Sequence, residues 1–297
     1  MRGMASKVLV VGGTGLVGNA LVRAWSARGH ETAAATYHCH PSPGFSRLDM
    51  QDEQAVRAAL AAFRPDVVAV PAANPHVDYC ETHPEETRKV NVLGTLNVAR
   101  ASRDAGARMV FYSSDYVFDG VKGSYTEEDA PNPLNEYGRQ KAETEAGVLA
   151  CDPRNLVLRT SGAYGWQWEP KNFVLQVRAK LAAGQKMSLA GDLLYNPTYA
   201  ENLAEVTADL VEARASGIFH AVGAEPITRY DFAVLAAAAP APSWSASPPC
   251  STAAACPSKR RRRQTGASGR RGGCVRRGLD TDGRHGYPSK KGRRAAY

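Results

Sequence analysis

The chain has 297 residues, 43% of them hydrophobic, which is enough to bury a full core and to hold one large domain with a smaller lobe. No apolar run approaches the roughly 18 to 20 residues needed to cross a bilayer, and the N-terminal apolar run ends in Gly-Gly-Thr-Gly instead of a cleavage-site pattern, so a cytoplasmic location is expected. The net charge of +8 is unevenly spread: residues 240–297 carry 14 Lys and Arg against 2 Asp and Glu, leaving 23 basic and 27 acidic residues before them, which excludes a nucleic-acid-binding body.

The first apolar run, residues 8–11, is a strand that stops at Gly12-Gly13-Thr14-Gly15-Leu16-Val17-Gly18 and continues as a helical pattern over 16–28. Glycines three apart at a strand-to-helix turn suit a pyrophosphate: Gly12 permits the bend, Gly15 admits the phosphates to the backbone, and Gly18 lets the helix pack on the strand. Further strands are expected at 31–37, 67–70, 109–113 and 156–159, alternating with helices at 51–63, 85–105 and 137–149. Such alternation predicts an α/β fold, a doubly wound, Rossmann-type parallel sheet with helices on both faces. Ligands then gather at the carboxyl ends of the strands, where Gly12, Pro71, Ser114 and Thr160 fall.

After Trp166 the pattern loosens into a helix at 172–183, a segment at 187–199 and a helix at 200–213. The expected division is a dinucleotide-binding domain at 6–165, an interleaved substrate lobe at 166–239, and a disordered basic tail at 240–297 that lacks any helical or strand period. That tail is read as a solvated or non-native end. The six cysteines, Cys39, Cys80, Cys151, Cys250, Cys256 and Cys274, show neither a CxxC pair nor a metal-like spacing, so no disulfide framework and no metal site is expected.

Two further segments carry chemistry. Ser113-Ser114-Asp115-Tyr116-Val117-Phe118-Asp119-Gly120 follows the fourth strand, and Tyr137-Gly138-Arg139-Gln140-Lys141 opens a helix. Tyr137 and Lys141, four apart, share a helical face and can enter one cleft, where an ammonium would draw the phenol from its usual pKa of about 10 toward the range of acid-base work. Tyr287 and Lys291 repeat the spacing, but Pro288 between them spoils a helix.

These features resemble the extended short-chain dehydrogenase/reductase family. Ser114-Asp115-Tyr116-Val117-Phe118-Asp119-Gly120, Tyr125-xx-Glu128-Asp129-x-Pro131-x-Pro133, Arg159-Thr160 with Tyr164-Gly165, and Pro197-Thr198-Tyr199 are similar to dTDP-4-dehydrorhamnose reductases, over residues 6–235. The resemblance implies hydride transfer from a nicotinamide to the C4 ketone of a nucleotide-linked deoxysugar. It makes Tyr137 the acid, Lys141 the ribose ligand that tunes Tyr137, and Ser114 the group that holds the carbonyl. It also implies cofactor contacts at Gly12, Thr14, Gly15, Leu16, Val17, Gly18, Tyr37, His38, Asp49, Met50, Pro71, Ala72, Ala73, Asn91, Ser113, Tyr137 and Lys141. Substrate contacts fall on Ser114, Asp115, Tyr116, Asn172 and Pro197. The implied partner is a nucleotide-sugar, with no membrane or nucleic-acid partner and a homodimer as an allowed assembly. Because Thr36-Tyr37-His38 offers no carboxylate to repel a 2′-phosphate, NADPH is expected, with NADH the alternative.

The chain departs from that family in two places. Gly162 stands where many members have a sugar-contacting aromatic, and the regulatory β subunit of methionine adenosyltransferase shares that lack, so a nucleotide-binding regulatory protein is the alternative. Beyond Phe232 the family continues as helix, whereas this chain turns to Ala, Pro, Arg and Gly, as a shifted reading frame in a GC-rich gene would give; part of the substrate lobe would then be missing. Asp115-Tyr116 replaces the Asp-Glu pair of sugar-nucleotide dehydratases, which argues against elimination chemistry.

Overall fold

The computed structural model describes residues 6–37, 45–167 and 171–239. The tail, the cysteines at 39, 250, 256 and 274, the Tyr287/Lys291 pair and His38 lie outside the described residues. In chain order the first half runs β1 (Lys7–Val11), α1 (Leu16–Ala27), β2 (Glu31–Thr36), β3 (Phe45–Arg47), α2 (Glu53–Phe63), β4 (Val67–Val70), α3 (Val77–Thr82), α4 (Pro84–Arg88), a π-helical turn (Lys89–Gly94), α5 (Thr95–Asp104) and β5 (Arg108–Ser114). The second half runs α6 (Glu136–Cys151), β6 (Leu156–Thr160), α7 (Phe173–Ala182), β7 (Leu194–Tyr195), α8 (Ala200–Glu212), β8 (Gly217–His220), β9 (Ile227–Thr228) and α9 (Arg229–Ala238).

Seven strands form one parallel sheet in the order β3-β2-β1-β4-β5-β6-β8. The order reverses between β1 and β4, the switch point at which doubly wound sheets open a crevice. Alternate side chains supply two cores, as the two-residue period of a strand demands. Val8, Val10, Val110 and Leu158 face α1 and α8 with Leu21, Trp25 and Leu203; Leu9, Val11, Phe111 and Val157 face the other way with Val56, Leu60, Val98 and Val148 of α2, α5 and α6. Strands covered on both sides read as continuous apolar runs, and these do. Among the described residues no helix is long and apolar enough to cross a membrane.

Several expectations need correction. The helix expected at 85–105 is broken: Pro84 starts α4, a π-helical turn carries residues 89–94, and α5 resumes at Thr95, with α3 before it. One extra residue in a turn shifts the facing of Asn91, which lets its amide bond the loop after β4. The second strand stops at Thr36, leaving Tyr37 outside and exposed. Helix α2 begins at Glu53 because Asp52 caps it, accepting from the Ala55 N–H at 3.0 Å. In the segment 187–199 only Leu194–Tyr195 is a strand, paired antiparallel with β9. The short β3, the edge strand β8 and α9 had no strong period of their own, and α9 runs on to Ala238, past the change in composition near residue 236.

One buried ion pair fastens the helix that matters most. Arg159 of β6 donates to Glu145 of α6 at 3.0 and 2.7 Å, and both side chains are only 3% exposed. The guanidinium also lies 4.9 Å from the Phe118 ring centroid. Removing one partner of such a pair leaves an uncompensated charge and costs about 3–5 kcal/mol. Glu145→Leu is therefore expected to lower the unfolding free energy by about that amount in urea titrations, and Glu145→Leu combined with Arg159→Leu to recover much of it. An unchanged midpoint in the single variant would show that the pair does not anchor α6.

Candidate active site

The turn after β1 has the form its glycines suggest. Gly12 adopts φ +98°, and a Cβ there would lie 2.9 Å from the backbone of Ala72, at the carboxyl end of β4. A Cβ on Gly18 would meet the Gly12 carbonyl oxygen at 2.1 Å, so α1 packs directly on the turn. Gly15 is the N-cap of α1 and is exposed, and no side chain caps the helix. The first N–H groups of α1, including those of Leu16 and Val17, thus have no intrahelical partner and present positive helix-end charge at the switch point. Thr14 shares a 2.8 Å hydrogen bond with Thr36, which ties the turn to the end of β2. These residues fit the diphosphate of a dinucleotide.

Around that turn the other expected contacts occupy one rim. Pro71, Ala72 and Ala73 leave β4 half-buried, with the Ala72 N–H donating to the Val11 carbonyl at 3.2 Å. Met50 is buried and Asp49 half-buried, its carboxylate accepting from the Gln51 N–H at 2.9 Å. Asn91 serves the protein itself: its oxygen accepts from the Asn74 N–H at 2.7 Å and its nitrogen donates to Gln140 at 2.9 Å. Ser113 is buried, and among the described residues its hydroxyl has no hydrogen-bond partner.

Ser114, Tyr137 and Lys141 come together at the end of β5. Tyr137 is 9% and Lys141 4% exposed, and the Lys141 ammonium sits 5.7 Å from the Tyr137 ring centroid. The Ser114 hydroxyl, which donates to Asp115 at 2.8 Å, lies on the phenol side of the strand end and weakly opposes the rise in the Tyr137 pKa, and the Tyr116 ring meets the Tyr137 ring edge-on at 5.6 Å. One expectation is corrected here. Burial, helped by the Asp115 carboxylate, pushes the Tyr137 phenol above its ordinary pKa, and the ammonium does not reverse this. The Lys141 Nζ instead donates to the Tyr112 carbonyl at 2.7 Å and lies over Phe111 at 4.7 Å. Tyr137 is thus held as a protonated donor.

On the outer side, Asp115 takes both serines: Ser114 donates to one carboxylate oxygen at 2.8 Å and Ser161 to the other at 2.5 Å. Burial raises the Asp115 pKa, and those bonds oppose the rise. Asn172 caps α7, accepting from Leu175 N–H at 3.3 Å and donating to the Gly165 carbonyl at 2.9 Å. Pro197 borders a cavity of about 710 Å³ with Tyr164, Tyr199, His220 and Phe232. Sequence reasoning missed Ser161, Tyr195 and Arg229. Ser161 alone had a signal, as it follows the Arg159-Thr160 pair; the other two meet through β7–β9 pairing, which no local pattern announced. Cys80 is buried and Cys151 half-buried, both free thiols, and among the described residues no group of His, Cys, Asp and Glu could hold a metal ion.

The model of the RmlD substrate binding domain family matches residues 6–267. The chain is 35% identical over 231 residues to a probable low-salt glycan biosynthesis reductase, Agl14, of Haloferax volcanii, covering 75% of this chain and 76% of that one. It is 32% identical to methionine adenosyltransferase 2 subunit beta of Xenopus tropicalis over 76% of this chain and 69% of the other. Among solved structures, a hypothetical dTDP-4-dehydrorhamnose reductase from Sulfolobus tokodaii superposes with a TM-score of 0.70 at 34% identity, covering 77% and 81% of the two chains. A dTDP-4-dehydrorhamnose reductase from Bacillus anthracis, in complex with NADP, does so with 0.71 at 26% identity over 78% and 80%.

Burial drives Lys141 from the ordinary 10.5 down to about 8, against a smaller upward pull from Glu145. Between those two values the unfolded chain holds a proton that the folded chain has released, so stability rises with pH across the window. The raised phenols of Tyr112 and Tyr137 act in the opposite sense only above their ordinary 10.0. Urea unfolding from about pH 8 to 10 is expected to show this rise in the wild type and to show it flattened in Lys141→Met. Parallel pH profiles for the two proteins would remove the assignment.

Proposed function

We propose that this chain, which belongs to the RmlD substrate binding domain family, reduces the ketone of a nucleotide-linked 4-keto-deoxysugar with a nicotinamide dinucleotide. The observation that carries the reading is the meeting of Ser114, Tyr137 and Lys141, all buried, beside the switch point of the sheet. Gly12, Thr14, Gly15, Leu16, Val17 and Gly18 would hold the diphosphate of the dinucleotide, whose nicotinamide supplies the hydride. NADPH is favoured over NADH because β2 ends at Thr36, followed by Tyr37, with no carboxylate at either position. A related reductase structure contains NADP.

Tyr137, protonated at neutral pH, gives its proton to the ketone oxygen as the carbon is reduced. Lys141 lies close enough to the ring to stabilise the phenolate left behind, and with a pKa near 8 it can return a proton. Ser114 aligns the oxygen, while Asp115 and Ser161 orient Ser114. Resemblance to methionine adenosyltransferase 2 subunit beta supports a second reading, a nucleotide-binding regulatory protein without turnover.

Absorbance at the nicotinamide band, followed with NADPH and a panel of dTDP-4-keto sugars, separates the two. Turnover is expected in the wild type, and Tyr137→Phe is expected to reduce kcat by about 100- to 10,000-fold with NADPH affinity unchanged. Tight NADPH binding with no turnover would favour the regulatory reading, and full activity in Tyr137→Phe would remove the mechanism.

A further inference from the structure

Two buried polar atoms left without a hydrogen-bond partner among the described residues belong to neighbours in the sheet: Nη1 of Arg159 and Nε2 of His220. A buried group in that state is unusual, because it loses its water without compensation. The two residues stand opposite each other in register across β6 and β8, and beside them the Ala221 N–H donates to the Arg159 carbonyl at 2.8 Å. Register partners carry their side chains on the same face of a sheet, and this is the face that α6 covers. Both pack on one ring. The Arg159 guanidinium lies 4.9 Å and the His220 imidazole 5.7 Å from the Phe118 centroid, and Phe118 is itself stacked on Tyr125 at 4.2 Å. The unpartnered phenol of Tyr195 is a different case: its ring closes over Gly162, where a Cβ would fall 2.4 and 2.6 Å from two ring carbons.

The chemistry of the two atoms is complementary in one state of the histidine. Nε and Nη2 of Arg159 hold the Glu145 carboxylate, so Nη1 remains as a donor that can accept nothing. A neutral imidazole with its proton on Nδ1 offers only an acceptor at Nε2. A charged one would set a second cation against the first, away from water. Other groups also face this histidine. The Glu127 carboxylate accepts its backbone N–H at 2.8 Å, Asp129 follows on the same loop, and on the far flank Tyr164, Tyr199 and Glu225 line the cavity that His220 borders. Burial decides among them, holding the imidazole below its ordinary 6.5; Glu127 opposes this, Arg159 reinforces it, and Glu145 and Asp129 oppose it more weakly.

We propose that neutral His220 is a positioning residue for α6: its Nε2 receives the remaining edge of Arg159, which lets Arg159 hold Glu145 and with it the helix that carries Tyr137 and Lys141. A proton on His220 closes that acceptor and loosens the helix. The hold on α6 stands on geometry alone, whereas its consequence for turnover rests on the keto-sugar reading. The sign follows from the lowered imidazole. Above the ordinary 6.5 the ring is neutral in the folded and unfolded chains alike, and the contribution is complete; as pH falls from there through the lower folded value, the unfolded chain takes the proton first and the contribution is lost.

Hydrogen exchange of the α6 amides in the full chain, corrected for the pH dependence of the intrinsic rate, tests this beside His220→Gln, which keeps an acceptor and cannot titrate, and His220→Phe, which keeps a ring and loses the acceptor. From about pH 7 to about pH 5.5, protection in α6 is expected to fall about tenfold more in the wild type than in His220→Gln. At about pH 7, His220→Phe should lower it about tenfold while His220→Gln retains it and α1 is unchanged in both. Nitrogen-15 spectra of the wild type at that pH should place the ring proton on Nδ1. With NADPH and a keto-sugar, kcat should fall over the same interval in the wild type and stay level in His220→Gln. A ring proton on Nε2 at neutral pH, equal α6 protection in the wild type and His220→Gln at the acid end, or an equal loss in α1 and α6 of His220→Phe would each overturn the proposal. The expected exchange pattern in a wild type that transfers no hydride to any keto-sugar would keep the positioning role and remove the reductase reading.

Discussion

The site depends on the cost of holding the Lys141 ammonium out of water. Among the described residues its hydrogen-bond acceptor is the Tyr112 carbonyl of β5, so α6 must press against that strand at a fixed height. Tyr137, Lys141 and Glu145 follow one another at helical spacing along the pressed face. The first packs edge-on against Tyr116 just past the end of β5, the second meets the strand backbone, and the third Arg159 of the neighbouring strand. Three polar side chains thus bind one helix to two adjacent strands, and the low polarity that perturbs Lys141 and Tyr137 is produced by the same packing.

A separate polar network sets the opposite wall. Gln140, one residue before Lys141, points the other way into Asn91, Thr87 and the Pro84 carbonyl. Asn91 passes this on to Asn74, fixing the loop that leaves β4 beside the glycine turn. The π-helical turn makes the connection geometrically available. Helix α6 therefore positions Tyr137 on one face and the loop after β4 on the other, and a shift of the helix would disturb both.

Much of this was legible in the amino-acid order because each piece has a local signature. The Gly12–Gly18 turn lies between an apolar strand and an amphipathic helix, and Tyr137 with Lys141 lies four apart on a helix with a strand and serine upstream. Parallel strands buried on both sides announced themselves as the runs at Val8, Val67 and Leu156. What escaped had no such signature. The polarity shift at Tyr137 depends on how deeply α6 is buried, which a spacing of four does not reveal. Asn91 and Asn172 bear residue types that suit ligand contact, yet the Asn91 amide is engaged by Asn74 backbone that only the folded chain brings near, and Asn172 is spent on capping α7. Strands of two residues, such as β7 and β9, are too short for any alternation to emerge.

The close fit of Gly162 beneath the Tyr195 ring has an evolutionary corollary. The two positions, more than thirty residues apart in the chain, cannot drift independently: a larger residue at the first is tolerated only after the second has become small, and each intermediate leaves either a clash or a void. Epistasis of that kind would make the pair change together among descendants of this protein, and would cause laboratory libraries that randomise one site at a time to return few folded variants.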